Sequence, residues 1–163
     1  MADDLNTLAF ELGERLKSKQ MMMAVAESCT GGWVAKVITD VPGSSHWFER
    51  GFVTYTNSAK QEMLGVIAKT LEQFGAVSLE TATEMALGAV TNSHAQVAVA
   101  ISGIAGPGGG SDDKPVGTVC LAWAGLAQSS ACRRQFSGDR EAVRRQAVAA
   151  ALTGLNEYLL QYG

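Results

Sequence analysis

The sequence predicts an α/β fold: one domain, residues 1–163, in which a mixed sheet lies between two helical layers as an α/β/α sandwich. Three observations carry this. Runs of strand length, apolar at 21–26 and 97–101 and rich in β-branched and aromatic residues at 51–56, alternate with segments of helical periodicity. The run at 97–101 (VAVAI) is apolar at every position, as a strand covered on both faces is. Residues 116–124 and 129–136, joined by a short turn at Gly125, read as a late antiparallel hairpin, which makes the sheet mixed. At 163 residues without internal repeat or linker, one domain has length enough for a full core.

Taken in order, Asp4 is placed to cap a first helix with Leu5, Leu8, Leu12 and Leu16 on one face. The first strand, 21–26 (MMMAVA), breaks off into Glu27-Ser28-Cys29-Thr30-Gly31-Gly32, and a helix over 29–39 follows. Residues 41–45 (VPGSS) form a turn, after which Ser44 or Ser45 starts a short helical piece carrying Trp47 and Phe48. The second strand is 51–56 (GFVTYT), and Asn57 caps a short helix that Gly65 stops. A brief helix runs from Lys69 to Gly75, and Ser78 caps a longer one that buries Ala82, Met85, Ala86 and Ala89. A glycine-rich loop over 103–114 links the third strand to the hairpin. From Asp139 a last helix turns Val143, Ala147, Ala151 and Leu155 inward.

Composition excludes several classes of function. Hydrophobic residues at 47% argue against disorder. Uninterrupted apolar runs such as 21–26 fall far short of the roughly 20 residues of a membrane span. The acidic start Ala2-Asp3-Asp4 lacks the basic and apolar regions of a signal peptide. A soluble cytoplasmic protein without a membrane partner is expected. A net charge of −3 and a pI near 5.4 lack the basic footprint of a nucleic-acid binder. Cys29, Cys120 and Cys132 are odd in number and lack C-x-x-C spacing, and the only histidines, His46 and His94, stand far apart. No metal and no cofactor is expected, and alanine-rich helix faces would suit a homodimer.

Candidate chemistry gathers at four places. At 27–32 a strand runs through a tight polar turn into a helix, so backbone N–H groups converge there and favour an anion or a developing oxyanion. Two glycines in a first helical turn cost about 1 kcal/mol each against alanine, unless something must approach the backbone closely. An ordinary N-cap by Ser28 or Thr30 is the alternative. Lys60, at N3 if Asn57 is the N-cap, opposes the helix dipole; with burial its amine becomes a general base for a serine hydroxyl, and otherwise it is a solvated surface lysine. Tyr55, five residues earlier, either serves the same site or packs as a core aromatic. In the loop after 97–101, five of the eight residues from Gly103 to Gly110 are glycine, a density suited to wrapping a ligand or to a long flexible turn. Arg140 and Arg144, one turn apart on the last helix, read as a phosphate clamp or as a solvated basic face. Cys29 competes with Ser28 as nucleophile, since a thiol at a helix N-terminus is acidified.

Three stretches, AESCTGGWVAKVITDVPGSSHWFERGFVTYTNSAK (26–60), ISGIAGPGGGSDDKPVGTV (101–119) and FSGDREAVRRQA (136–147), resemble the CinA C-terminal-domain family, and most closely its free-standing bacterial amidohydrolases of nicotinamide nucleotides. Met21, Met22 and Met23 stand where the family has a Thr- and Val-rich start. The resemblance implies an α/β/α sandwich that hydrolyses nicotinamide mononucleotide to nicotinate mononucleotide and ammonia. It places the family's serine–lysine pair on Ser28 and Lys60 and its tyrosine on Tyr55. Its substrate-binding turn falls on Thr30, Gly31 and Gly32 and its Gly-Pro-x-Gly-Gly loop on Gly106, Gly108, Gly109 and Gly110; Ser45, Gly103 and Arg140 or Arg144 are further substrate-binding candidates of this sequence. Backbone N–H groups near Thr30–Gly32 would then hold the oxyanion. The competing class is a non-catalytic nucleotide-binding or protein-interaction module.

Overall fold

Three strands lie side by side in parallel, each long enough to cross the core once and returned by helices. In the computed structural model, which describes residues 4–163, these are β1 (Met23–Glu27), β2 (Phe48–Val53) and β3 (Val97–Gly103). The first residues, including Ala2 and Asp3 of the acidic start, lie outside the described residues. Strands β4 (Thr118–Ala124) and β5 (Ser129–Gln135) complete the sheet as the expected antiparallel hairpin, in the order β2-β1-β3-β4-β5.

Side-chain alternation divides the core in two. Met23, Val25, Val97, Val99 and Ile101 face α1 (Leu5–Ser18), α2 (Trp33–Thr39) and α6 (Arg140–Tyr162). Ala24, Ala26, Ala98 and Ala100 face the other layer, where α5 (Leu79–Thr91) lies on the sheet beside α3 (Asn57–Leu64) and α4 (Ala68–Phe74). Small side chains on that face let α5 sit close. At Gly88 the approach is closer still: a Cβ would overlap the Leu64 carbonyl at the end of α3. This contact seats α3 over the ends of the parallel strands.

The three-layer mixed sandwich agrees with the sequence reading, and most helix starts fall where expected. Asp4 accepts from the Asn6 N–H, Ser78 from Thr81 and Asp139 from Ala142. Several boundaries move. Glu27 belongs to β1, and α2 begins only at Trp33, so neither Ser28 nor Thr30 caps it. Strand β2 starts at Phe48 and ends at Val53, because Phe48 pairs with Met23 and leaves Tyr55 beyond the sheet. Thr56 rather than Asn57 caps α3, which puts Lys60 at N4 instead of N3.

Candidate active site

The parallel strands β1, β2 and β3 all end at one edge of the sheet, where open α/β folds gather ligands. Ser28 follows β1 directly, and its N–H donates to the Ile101 carbonyl of β3 at 3.0 Å. Continuing the alternation of Ala24 and Ala26, Ser28 belongs to the α3–α5 side. There α3 delivers Lys60, which is 1% exposed, and Nζ lies 3.0 Å from Ser28 Oγ. The same Nζ is 3.0 Å from the Thr54 carbonyl and 3.5 Å from that of Tyr55. Among the described residues no carboxylate pairs with it. Burial holds the Lys60 amine below its ordinary 10.5, opposed in part by the Cys29 thiol.

A cavity of about 290 Å³ opens beside this pair. Gly103, Gly106, Gly108 and Gly109 form one wall, Tyr55 and Asn57 another, and Arg140 closes the rim. Gly106 and Gly109 have φ of +84° and +92°, a backbone that side chains rarely adopt. The N–H groups of Ala105, Gly106, Gly108 and Gly109 have no partner among the described residues. Arg140 donates through Nη1 to the Gly106 carbonyl (2.6 Å) and through Nη2 to the Tyr55 hydroxyl (3.1 Å), strapping the two walls together. The Tyr55 ring is 57% exposed, so it is a wall of the cavity and not a core aromatic.

Ser102 was absent from the sequence candidates. It is 1% exposed, lines the cavity, and continues the face of Ala98 and Ala100 on the strand next to Ser28. Strand periodicity was the signal that would have found it: the last inward position of a buried strand, if polar, faces whatever lies at the strand's end.

Other expected site residues are placed differently. In the turn after β1 the Gly31 N–H donates to Ser28 and that of Trp33 to Thr30. The Gly32 N–H and the Thr30 hydroxyl both donate to the Glu27 carboxylate, at 3.1 and 2.6 Å. Thr30, Gly31 and Gly32 therefore present none of these donors to the cavity; in this turn only the N–H groups of Cys29 and Thr30 have no partner among the described residues. Arg144 is not half of a phosphate clamp. It donates to the Cys29 and Thr30 carbonyls, both at 3.0 Å, and lies over the Trp33 ring. Ser45, exposed on the 3₁₀ turn Ser44–His46 before β2, sits at the opposite end of the strands from Ser28. Gly110 packs against Val116 rather than lining the cavity. Cys29 does line it, but its thiol is not acidified: burial pushes it up to about 11, since the helix begins four residues later.

No three His, Cys, Asp or Glu side chains converge among the described residues, and no helix of theirs is long and apolar enough to cross a membrane. The CinA C-terminal domain matches residues 5–159. The chain belongs to that family. It is 57% identical over 159 residues to the nicotinamide-nucleotide amidohydrolase PncC of Escherichia coli K12, covering 97% of this chain and 96% of that one. A CinA-like protein of Geobacter sulfurreducens is 47% identical over 160 residues, a match spanning 98% of this chain but 39% of the longer protein. Among solved CinA-family structures, the competence/damage inducible protein CihA of Agrobacterium tumefaciens superposes with a TM-score of 0.93 at 45% identity, covering 97% of this chain and 96% of that one.

Proposed function

We propose that this enzyme hydrolyses the carboxamide of nicotinamide mononucleotide to nicotinate mononucleotide and ammonia, with Ser28 as nucleophile, Lys60 as base, and a role in pyridine-nucleotide recycling. The observation that supports it is a buried lysine without a carboxylate partner, 3.0 Å from a serine hydroxyl at the floor of a cavity. A neutral amine has two N–H groups and one lone pair. With the Thr54 and Tyr55 carbonyls taking the N–H groups, the lone pair is left for the Ser28 hydroxyl.

Ser28 Oγ attacks the amide carbon as Lys60 takes its proton. The negative oxygen of the tetrahedral intermediate is held by the Cys29 N–H and the Ser102 hydroxyl, in place of the occupied donors at Gly31 and Gly32. One such donor is typically worth about 3–4 kcal/mol. Lys60 returns the proton to the departing ammonia, and water, activated by the same amine, cleaves the acyl-enzyme. The open N–H groups of the glycine-rich loop and the Arg140 guanidinium hold phosphate and ribose, with Tyr55 setting the opposite wall. No step of this scheme calls on a metal or cofactor.

The test is ammonia release from nicotinamide mononucleotide by the purified protein. Ser28→Ala and Lys60→Ala should each lower kcat by about 1,000-fold or more with the circular dichroism spectrum unchanged. Full activity in either folded variant removes the pair. A binding module without catalysis would need the glycine loop but no buried lysine against a serine, and it would release no ammonia at all. We place the enzyme in the cytoplasm as a homodimer; light scattering at the 17.1 kDa monomer mass would remove the dimer.

A further inference from the structure

Glu27 is fully buried beside the proposed nucleophile, and the hydrolysis just described assigns it no task. Its carboxylate accepts four hydrogen bonds. Oε1 receives the Thr30 hydroxyl at 2.6 Å, the Gly32 N–H at 3.1 Å and the Val34 N–H at 3.0 Å; Oε2 receives the Ala35 N–H at 2.9 Å. All four donors are uncharged. Helix α2 has no side-chain cap at Gly32, so Glu27, five residues upstream, takes that part. A local Ser or Asp would cap the helix at far smaller desolvation cost. What a local cap would not do is fix the residue immediately before Ser28 to the helix immediately after it.

The backbone of Glu27 reaches the other half of the pair. Its carbonyl accepts the Thr54 N–H at 2.8 Å, and the Thr54 carbonyl receives Lys60 Nζ. From outside, Arg144 holds the Cys29 and Thr30 carbonyls of the same turn. The turn is thus gripped by its N–H groups from within and by its carbonyls from without.

We propose that Glu27 is a positioning residue for amide hydrolysis: by gathering four donors of the following turn, its carboxylate sets where Ser28 Oγ stands against Lys60 Nζ. This rests on Ser28 being the nucleophile. Glu27→Gln keeps the shape but turns an NH₂ group toward backbone N–H groups, so donors face donors. Thr30→Val removes one of the four donors and leaves the carboxylate in place.

The experiment measures kcat and KM for ammonia release per folded protein, with Ser28→Ala in parallel. Glu27→Gln is expected to lower kcat 10- to 100-fold and Thr30→Val 3- to 10-fold, with KM within twofold of wild type in both. The acid limb of the pH profile stays in place, because Lys60 itself is untouched. A role confined to stability would lower the melting temperature but leave kcat per folded protein unchanged. Wild-type kcat in folded Glu27→Gln overturns the proposal; if that variant does not fold, wild-type kcat in Thr30→Val does so. An inactive Ser28→Ala beside a fully active Glu27→Gln would remove this inference alone, whereas an active Ser28→Ala would remove the nucleophile assignment beneath it.

Discussion

Two stretches leave the same edge of the sheet with the same kind of sequence, and they end in opposite states. The turn after β1 and the loop after β3 are both glycine-rich and both contain glycines at positive φ: Gly31 and Gly32 in the first, Gly106 and Gly109 in the second. In the first, Glu27 and nearby carbonyls take the N–H groups of Gly31, Gly32, Trp33, Val34 and Ala35. In the second, the N–H groups that line the cavity, those of Ala105, Gly106, Gly108 and Gly109, stand without a partner among the described residues. The difference lies in the residue at the end of the preceding strand. Strand β1 ends on a carboxylate that folds into its own turn, while β3 ends Ser102-Gly103, with no acidic residue before Asp112. Convergent backbone donors predict that an anion is bound. Whether that anion is a ligand or a side chain depends on what the chain itself supplies nearby.

The comparison breaks most sharply by filling each region in turn. Gly106→Val places a β-branched side chain at φ +84°, with its Cβ 2.5 Å from Val116 Cγ1. It should raise KM for nicotinamide mononucleotide about 100-fold. Gly31→Ala, at φ +59°, should leave KM within about threefold but cost about 1 kcal/mol, seen as a melting temperature lower by about 2–4 °C. Equal effects on KM would erase the distinction between an open and a self-filled turn.

A smaller effect follows from Lys60. In the proposed reaction its working form is neutral, so kcat should fall about tenfold per pH unit below the lowered pKa of the amine and hold level above it. Stability carries the same sign. The unfolded chain binds a proton that the folded one releases, so stability rises with pH from the lowered folded value up to the ordinary 10.5. An activity profile flat through the acid range would show that Lys60 is not the base.

The smallest effect is expected at Cys29. A thiol with a pKa near 11 is protonated at neutral pH, so Cys29→Ala should keep activity within about threefold and iodoacetamide should inactivate slowly at pH 8. Loss of most activity in Cys29→Ala would move the nucleophile one residue along.

The architecture was legible because periodicity states which faces are apolar, and here the strands and caps agree with it: 97–101 of β3 is apolar on both sides, and Asp4, Ser78 and Asp139 each cap a helix. Ser28, Lys60, Tyr55 and Arg140 could be picked out from residue type and position, and the structure gathers all four around one cavity. What could not be read was the sharing of hydrogen bonds. Nothing in the order of residues says that Glu27 would absorb the donors offered at Gly32, or that Arg144 would spend its guanidinium on carbonyls 114 and 115 residues away. Ser45, expected to bind substrate, stands instead at the other end of β2 from Tyr55, because that strand crosses the sheet between them. Ser102 was missed because a single hydroxyl at the start of a glycine run looks like loop chemistry until its strand register is known.

The order in which the parts are made has its own bearing on when this protein can work. Residues 28 and 60 leave the ribosome early, whereas the guanidinium that ties the rim together sits on the terminal helix, Arg140–Tyr162. Because the same helix covers one face of the sheet with Val143, Ala147, Ala151 and Leu155, a chain clipped ahead of Ser137 would lose the rim arginine and half of its core together.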